Sequence, residues 1–196
     1  MNRVAGLILA AGESRRMGFP KALLEFRGET FLDRLIHRLS AACAPVIVVL
    51  GAEADRIRAG LRAADRAVIV RNPDYLQGQI TSMQCGLRSV PADARAILFT
   101  LVDHPNPAPE TIAALTAHTG PITIPRHTGR RGHPILLSSR LIPEFLALDA
   151  SESARTVLTR HAAGIEYLEV DDPGILDDVD DPEAYRRLQS AAEGAR

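Results

Sequence analysis

Apolar residues fall along this chain in short continuous runs, separated by longer stretches with helical periodicity. The runs cover residues 4–9 (VAGLIL), 46–50 (VIVVL), 67–70 (AVIV), 96–102 (AILFTLV), 122–124, 135–137 and a late GIEYLEV. A strand covered by helices on both faces is apolar at every position, whereas a half-exposed strand alternates. The uninterrupted runs therefore predict a buried, mostly parallel sheet. Between the first two runs, Thr30 is placed to cap a helix with Asp33 three residues on. Phe31, Leu32, Leu35, Ile36 and Leu39 then form one apolar face, with Pro45 as the stop. Further helices are predicted over 54–63, 82–89, 109–118, 139–148, 153–161 and 182–191. This alternation predicts an α/β fold, a single doubly wound sheet with helices on both faces. No repeat, linker or composition shift divides the chain, so residues 1–196 read as one domain ordered from about 3 to 190, with the terminal SAAEGAR frayed.

Composition narrows what such a fold serves. At 196 residues the chain suits one domain of ordinary size, and 46% apolar residues supply a core without disulfides. Basic and acidic residues nearly cancel, 23 against 24, which argues against nucleic acid as a partner. Cys43 and Cys85 lie far apart with no metal-ligand spacing, and read as small core residues in a reducing compartment. The N-terminal apolar stretch is too short for a secretory signal or a membrane span. A cytoplasmic protein without membrane attachment is expected.

In an open α/β sheet, ligands sit beyond the carboxyl ends of the strands, so the segment after the first strand, LILAAGESRRMGFPK, is the first place to look for chemistry. It is not a Walker A loop, because Gly12 and Gly18 have five residues between them and Lys21 comes three later. It is also neither G-x-G-x-x-G nor the G-x-S-x-G elbow of a hydrolase. What it does combine is a glycine-rich backbone, the Ser14 hydroxyl, the Arg15 and Arg16 guanidinium groups and the Lys21 ammonium. Those are the donors a triphosphate requires. A triphosphate brings Mg²⁺, which needs a carboxylate, and Asp103 follows the fourth run at a strand's carboxyl end. His104, beside it, reads as a packing or hydrogen-bonding residue. A second acidic stretch carries eight acids from Glu169 to Glu183. Its end, Asp181-Pro182-Glu183, is a helix start with Pro at N1 and acids in the first turn. The near-zero total charge is thus a basic loop (Arg15, Arg16, Lys21, Arg27) set against an acidic segment.

The loop resembles the signature L-A-A-G-x-S-x-R-M-G-x-x-K of the MobA-like nucleotidyltransferases, filled here by Leu9, Ala10, Ala11, Gly12, Ser14, Arg16, Met17, Gly18 and Lys21. The resemblance implies a Rossmann-like fold of the GT-A nucleotidyltransferase type. It also implies that Gly12 and Ser14 cradle phosphate oxygens while Arg16 and Lys21 neutralise the phosphates. Arg15 fills a variable position, and Leu23, Leu24 and Phe26 read as packing residues. Asp103 and Pro105 match the family's D-x-P motif, whose Asp binds metal. Asp178-Val179-Asp180-Asp181-Pro182-Glu183 resembles D-[IV]-D-T-P-E-D, with Asp181 in place of Thr, and implies Asp180 as a second metal ligand beside its helix-cap neighbours. Gly78, Ser82, Gly86 and Leu87 match G-x-x-x-S-L-x-x-G-L, with Met83 for Leu. Ser82 there either caps a helix or meets the nucleotide. GRRGHPI resembles a segment of the cytidylyltransferase branch and implies Arg131 and His133 as acceptor contacts, joined by Arg155 and open to a plain surface-turn reading.

The implied reaction is Mg²⁺-dependent transfer (Mn²⁺ as a substitute), with Arg16, Lys21 and Asp103 as its catalytic residues. The expected substrates are CTP and the terminal phosphate of molybdopterin. The sequence offers no general base, and a phosphate monoester with a second pKa near ~6 needs none. Ala11 in place of a second glycine fills space a purine would need, favouring CTP over GTP. A sugar- or alditol-phosphate nucleotidyltransferase and a non-catalytic nucleotide-binding maturation factor remain open. So does a client molybdoenzyme as partner, since no segment reports an interface.

Overall fold

The computed structural model describes residues 3–193. Its strands are β1 (Arg3–Ala10), β2 (Glu25–Phe26), β3 (Glu29–Thr30), β4 (Val46–Leu50), β5 (Val68–Arg71), β6 (Ala94–Leu101), β7 (Ile122–His127), β8 (Arg130–Arg131), β9 (Ile135–Ser138) and β10 (Ile165–Glu169). Its α-helices are α1 (Phe31–Ser40), α2 (Ala54–Gly60), α3 (Gln79–Leu87), α4 (Pro109–Ala117), α5 (Ile142–Leu146), α6 (Ala154–Arg160) and α7 (Pro182–Glu193). The large sheet runs β10-β7-β9-β6-β1-β4-β5, with β8 paired to β7. Strands β5, β4, β1 and β6 are mutually parallel, as are β7 and β10, and β9 runs antiparallel between β6 and β7.

Each apolar run divides its residues between two cores because successive side chains point to opposite faces. Ile8, Ala10, Val46, Val48, Leu50 and Leu98 pack with Leu32, Leu35, Ile36 and Leu39 of α1, Ile57 of α2, and Ile112 and Leu115 of α4. Leu7, Leu9, Ile47, Val49, Ile97 and Phe99 pack on the other face with Ile80 and Met83 of α3, Phe145 of α5 and Val157 of α6. The doubly wound, mostly parallel sheet expected from the uninterrupted runs is the observed architecture, and the expected packing residues Leu24 and Phe26 are buried. Cys43 and Cys85 are free and belong to cores on opposite faces of the sheet; burial pushes the Cys43 thiol up to about 12.

Local chemistry explains most boundaries. The Thr30 hydroxyl oxygen accepts from the Asp33 amide at 3.0 Å and caps α1. That helix closes at Ser40, ahead of Pro45, when Cys43 N donates back to Leu39 O at 2.8 Å. Helix α3 begins at Gln79 rather than Ser82, so Ser82 lies one turn inside it and is no cap. Asp181 caps α7 as expected, its Oδ1 accepting from Ala184 N at 2.8 Å with Pro182 as the first helical residue. This helix continues through 190–193, where fraying was expected; the rest of that expectation, 194–196, lies outside the described residues. The β2–β3 hairpin escaped the sequence reading, although Arg27 and Gly28, both at positive φ, are what a two-residue primed turn requires. No helix among the described residues is long and apolar enough to cross a membrane.

The chain leaves β1 toward β4 on one side and returns later to β6 on the other. Neighbouring connections therefore diverge at the carboxyl ends of β1 and β6, and this is where such sheets open a crevice.

Candidate active site

The loop after β1 is folded around Ser14. That residue takes a left-handed conformation (φ 52°), and its carbonyl accepts from Met17 N and Gly18 N, both at 3.0 Å. Its hydroxyl oxygen accepts from Lys21 N at 3.1 Å, closing the loop onto the residue whose side chain enters the site. At Gly12, no heavy atom of the described residues stands within 4 Å of where a Cβ would be, so the peptide faces open space. The loop forms one wall of a cleft of about 460 Å³, and Leu9, Ala10, Ala11, Gly12, Ser14, Arg16, Lys21, Ser82, Asp103 and Asp180 all line it. Tyr75 and Gln79 also line it and were missed, because neither belongs to a motif with a chemical signature. Gly78 is not among the lining residues. At φ 135°, with the site of a Cβ 2.7 Å from Ala150 O, it serves the turn before α3. Ser82 is 3% exposed and its hydroxyl accepts from Asn72 Nδ2 at 2.9 Å.

The far wall is acidic. Asp103 lies just past β6, and its Oδ2 is 3.3 Å from Lys21 Nζ. The same ammonium donates to Asp180 Oδ1 at 2.7 Å, while Arg16 pairs with Asp180 Oδ2 at 2.9 Å. Hydrogen bonding from Lys21, reinforced by Arg16, holds the Asp180 carboxyl below the usual carboxylate range. Asp178 behaves oppositely: burial, with Asp103 and Asp180 nearby, raises its pKa. Asp103 Oδ1 is enclosed, has no hydrogen-bond partner among the described residues, and lies 3.9 Å from His104 Nε2. Ligand atoms of Asp103, His104 and Asp178 lie within 4.8 Å of one another. An unpartnered carboxylate oxygen beside two further acids fits a divalent cation, with Asp103 common to every grouping. Arg15 also lines this cleft but pairs with Glu13, and Arg27 lies over the Phe26 ring; neither pairs with Asp103 or Asp180.

Beyond Asp103 lies a second cleft of about 660 Å³, lined by Arg130, Arg131, His133 and Arg155 together with His104, Tyr167 and Asp178. The three residues expected to meet an acceptor are thus brought together from β8, the β8–β9 turn and α6. His104 and His133 stack with centroids 4.4 Å apart, and their Nδ1 atoms have no partner among the described residues. Burial, with the neighbouring His104 ring, pushes His133 down to about 3, so its imidazole is neutral near pH 7. Arg131 lies over Tyr167 with its Cζ 4.9 Å from the ring centroid. Tyr167 and Asp178 were not singled out from sequence. Tyr167 looked like one more strand residue, and Asp178 differs from its acidic neighbours only by where it ends up.

Comparison with known proteins agrees with this geometry. Residues 6–165 match the family model described as the MobA-like NTP transferase domain. The chain is 28% identical over 188 residues to the molybdenum cofactor cytidylyltransferase of Escherichia coli K12, covering 94% of this chain and 95% of that protein. It is 32% identical over 196 residues to the purine catabolism protein PucB of Bacillus subtilis 168, covering 95% and 96%. Rv0371c of Mycobacterium tuberculosis H37Rv superposes with a TM-score of 0.84 at 27% identity, covering 96% and 98%. A manganese complex of that protein superposes at 0.78 with 28% identity, covering 96% and 99%.

Proposed function

From the premise that this chain belongs to the MobA-like NTP transferase family and is a nucleotidyltransferase, we propose that it transfers CMP from CTP to the terminal phosphate of molybdopterin, with release of pyrophosphate. The observation that carries this reading is a pair of clefts lined by adjacent residues, Asp103 in the first and His104 in the second. One is walled by a basic, glycine-containing loop and the other is rimmed by Arg130, Arg131 and Arg155. In this reading the triphosphate lies along the Gly12–Ser14 backbone, and Arg16 and Lys21 meet its phosphates. The acceptor phosphate lies across from it on Arg131 and Arg155, with its attacking oxygen directed past Asp103 at the α-phosphorus.

Asp103 and Asp180 would hold Mg²⁺, or Mn²⁺ in its place, which supplies positive charge where the pyrophosphate oxygens become more negative. Arg16 and Lys21, drawn onto the phosphates as the triphosphate binds, address that same charge and need no further movement at the moment of transfer. His133, pushed down to about 3 by burial, is too weak a base to take a proton from the acceptor, and a phosphate already ionised near pH 7 requires none. Ala11 lines the cleft and carries a methyl that a second glycine would lack, which supports the smaller pyrimidine. A cytoplasmic setting suits a labile small-molecule acceptor.

The test is to supply Mg²⁺, each of the four nucleoside triphosphates and molybdopterin, and to follow pyrophosphate. Release confined to CTP with molybdopterin supports the reading. Release with GTP points to a guanylyltransferase, and release with a sugar or alditol phosphate rejects molybdopterin. Nucleotide binding without release leaves a maturation factor.

A further inference from the structure

Lys21 occupies an unusual place for a phosphate-binding lysine. Its side chain is only 11% exposed, against 68% for Arg16, and its ammonium lies between two carboxylates, 2.7 Å from Asp180 Oδ1 and 3.3 Å from Asp103 Oδ2. Among the described residues it is the one lysine or arginine that reaches both acids. An ammonium has three donors on a single point charge. With two of them committed to the carboxylates, it cannot also take up a second and third phosphate oxygen. A divalent cation held between Asp103 and Asp180 competes for Asp103 Oδ2 and Asp180 Oδ1, which now accept from Lys21, whereas, among the described residues, Asp103 Oδ1 is free only on the His104 and Asp178 side.

Resting on the nucleotide-site reading above, we propose that Lys21 is an exchangeable counter-ion. It holds the two carboxylates together until a triphosphate draws it away, and only then frees their oxygens for a divalent cation. The charges require this order. Lys21 and Arg16 already balance Asp103 and Asp180, so a divalent cation entering with Lys21 still in place leaves the pocket with excess positive charge. A polyphosphate gives Lys21 a better anion and restores the negative charge that the cation needs. Metal and nucleotide therefore load together. By linkage, whatever factor the nucleotide adds to metal affinity, the metal adds to nucleotide affinity.

Mn²⁺ alone serves as the probe, titrated calorimetrically into the nucleotide-free protein. Lys21→Met, which keeps the aliphatic stem and removes the charge, is expected to tighten Mn²⁺ binding by about tenfold or more, within the ordinary range of ~5–150-fold for coupled sites. Arg16→Met removes an equal charge from Asp180 alone and is expected to change Mn²⁺ affinity by less than about threefold. Equal effects of the two variants, or none from Lys21→Met, overturn the proposal. The wild-type protein gives an independent readout that does not depend on how the variants fold. The Lys21 ammonium, held in two ion pairs, should give a slowly exchanging Nζ proton signal by NMR. Inorganic tripolyphosphate, without metal, should shift or abolish that signal, and a signal indifferent to tripolyphosphate overturns the proposal. Neither probe involves a nucleobase or an acceptor, so an error in the choice of CTP or molybdopterin leaves this result unaffected.

Discussion

The amide of Val179 donates to the carbonyl oxygen of Asp103 at 3.0 Å. This bond fastens the acidic segment to the end of β6. The Val179 side chain, 1% exposed, is buried with Leu24, Phe26 and Phe31 of the small core under α7. Its flanking acids then diverge: Asp180 lines the cleft of the glycine-containing loop, and Asp178 lines the cleft of the arginines. Arg16 and Lys21 of the basic patch thus meet Asp180 of the acidic one, and a buried valine assigns one acid to each chamber.

Asp103 stands at the boundary of the chambers: it lines the first, where its Oδ2 meets Lys21, while its neighbour His104, 3.9 Å from its Oδ1, lines the second. Replacing Asp103 by Asn keeps the shape and removes the charge. Asp103→Asn is expected to lower turnover by at least ~100-fold while leaving the nucleotide Kd measured in EDTA within a few fold, because charge at this point acts mainly on the transition state. Single-turnover kinetics and calorimetric nucleotide titration measure the two quantities separately. Retained turnover would remove Asp103 from the metal site.

The arginine cleft should be separable from nucleotide binding. Arg131 and Arg155 are exposed and line only the second chamber, so replacing either with Ala should raise the acceptor KM by roughly 10-fold, the scale of a lost charge-assisted contact. The nucleotide KM should be unchanged. A nucleotide KM that rises in parallel would mean that the second cleft is not a separate acceptor site.

The sequence made the α/β architecture legible because strands buried on both faces are apolar throughout, and this pattern survives without any knowledge of pairing. It also exposed the loop residues and Asp103, because their types and spacing are dictated by phosphate and metal chemistry. Ser82 was misjudged as a helix start because Gly78 lets the chain turn into α3 one turn earlier. His104 looked like packing and does stack on His133, but the stacking sets it beside Asp103 Oδ1, a partnership that exists only once β9 lies against β6. Asp178 and Asp180 look equivalent in sequence, and only the burial of Val179 between them separates their surroundings.

His133 should make stability sensitive to acid. Its pKa is depressed from 6.5 to about 3 in the folded chain. As pH falls below 6.5 the unfolded chain takes up a proton that the folded one refuses, so stability drops from there toward pH 3 and is insensitive above. Asp180 has its pKa lowered from 3.8, so its contribution is lost only below that value, outside the upper part of this window. Urea unfolding in EDTA at pH 7 and pH 5 should show a loss in wild type that is about 1 kcal/mol smaller in His133→Gln, after discounting for partial exposure. An identical loss in both proteins would place the acid sensitivity elsewhere.

Asp172 should be the main strut of the acidic segment. Helix α4 starts from Ala108, which has no side chain to cap it, and the cap comes from across the fold. Asp172 Oδ2 accepts from Ala108 N and Thr111 Oγ1, both at 2.7 Å, and Oδ1 accepts from Gly174 N at 3.0 Å. At 7% exposure, these donors have little water to replace it. Asp172→Ala leaves a helix end and two buried donors unpaired, and is expected to cost about 2–3 kcal/mol in urea unfolding. Asp172→Asn keeps an acceptor oxygen and should cost roughly half as much. The same segment carries Asp178 and Asp180, so Asp172→Ala should also lower turnover at temperatures where the variant remains folded, and Asp172→Asn should largely restore it. A destabilised variant with wild-type turnover would show that the acids are held by Val179 and Lys21 alone.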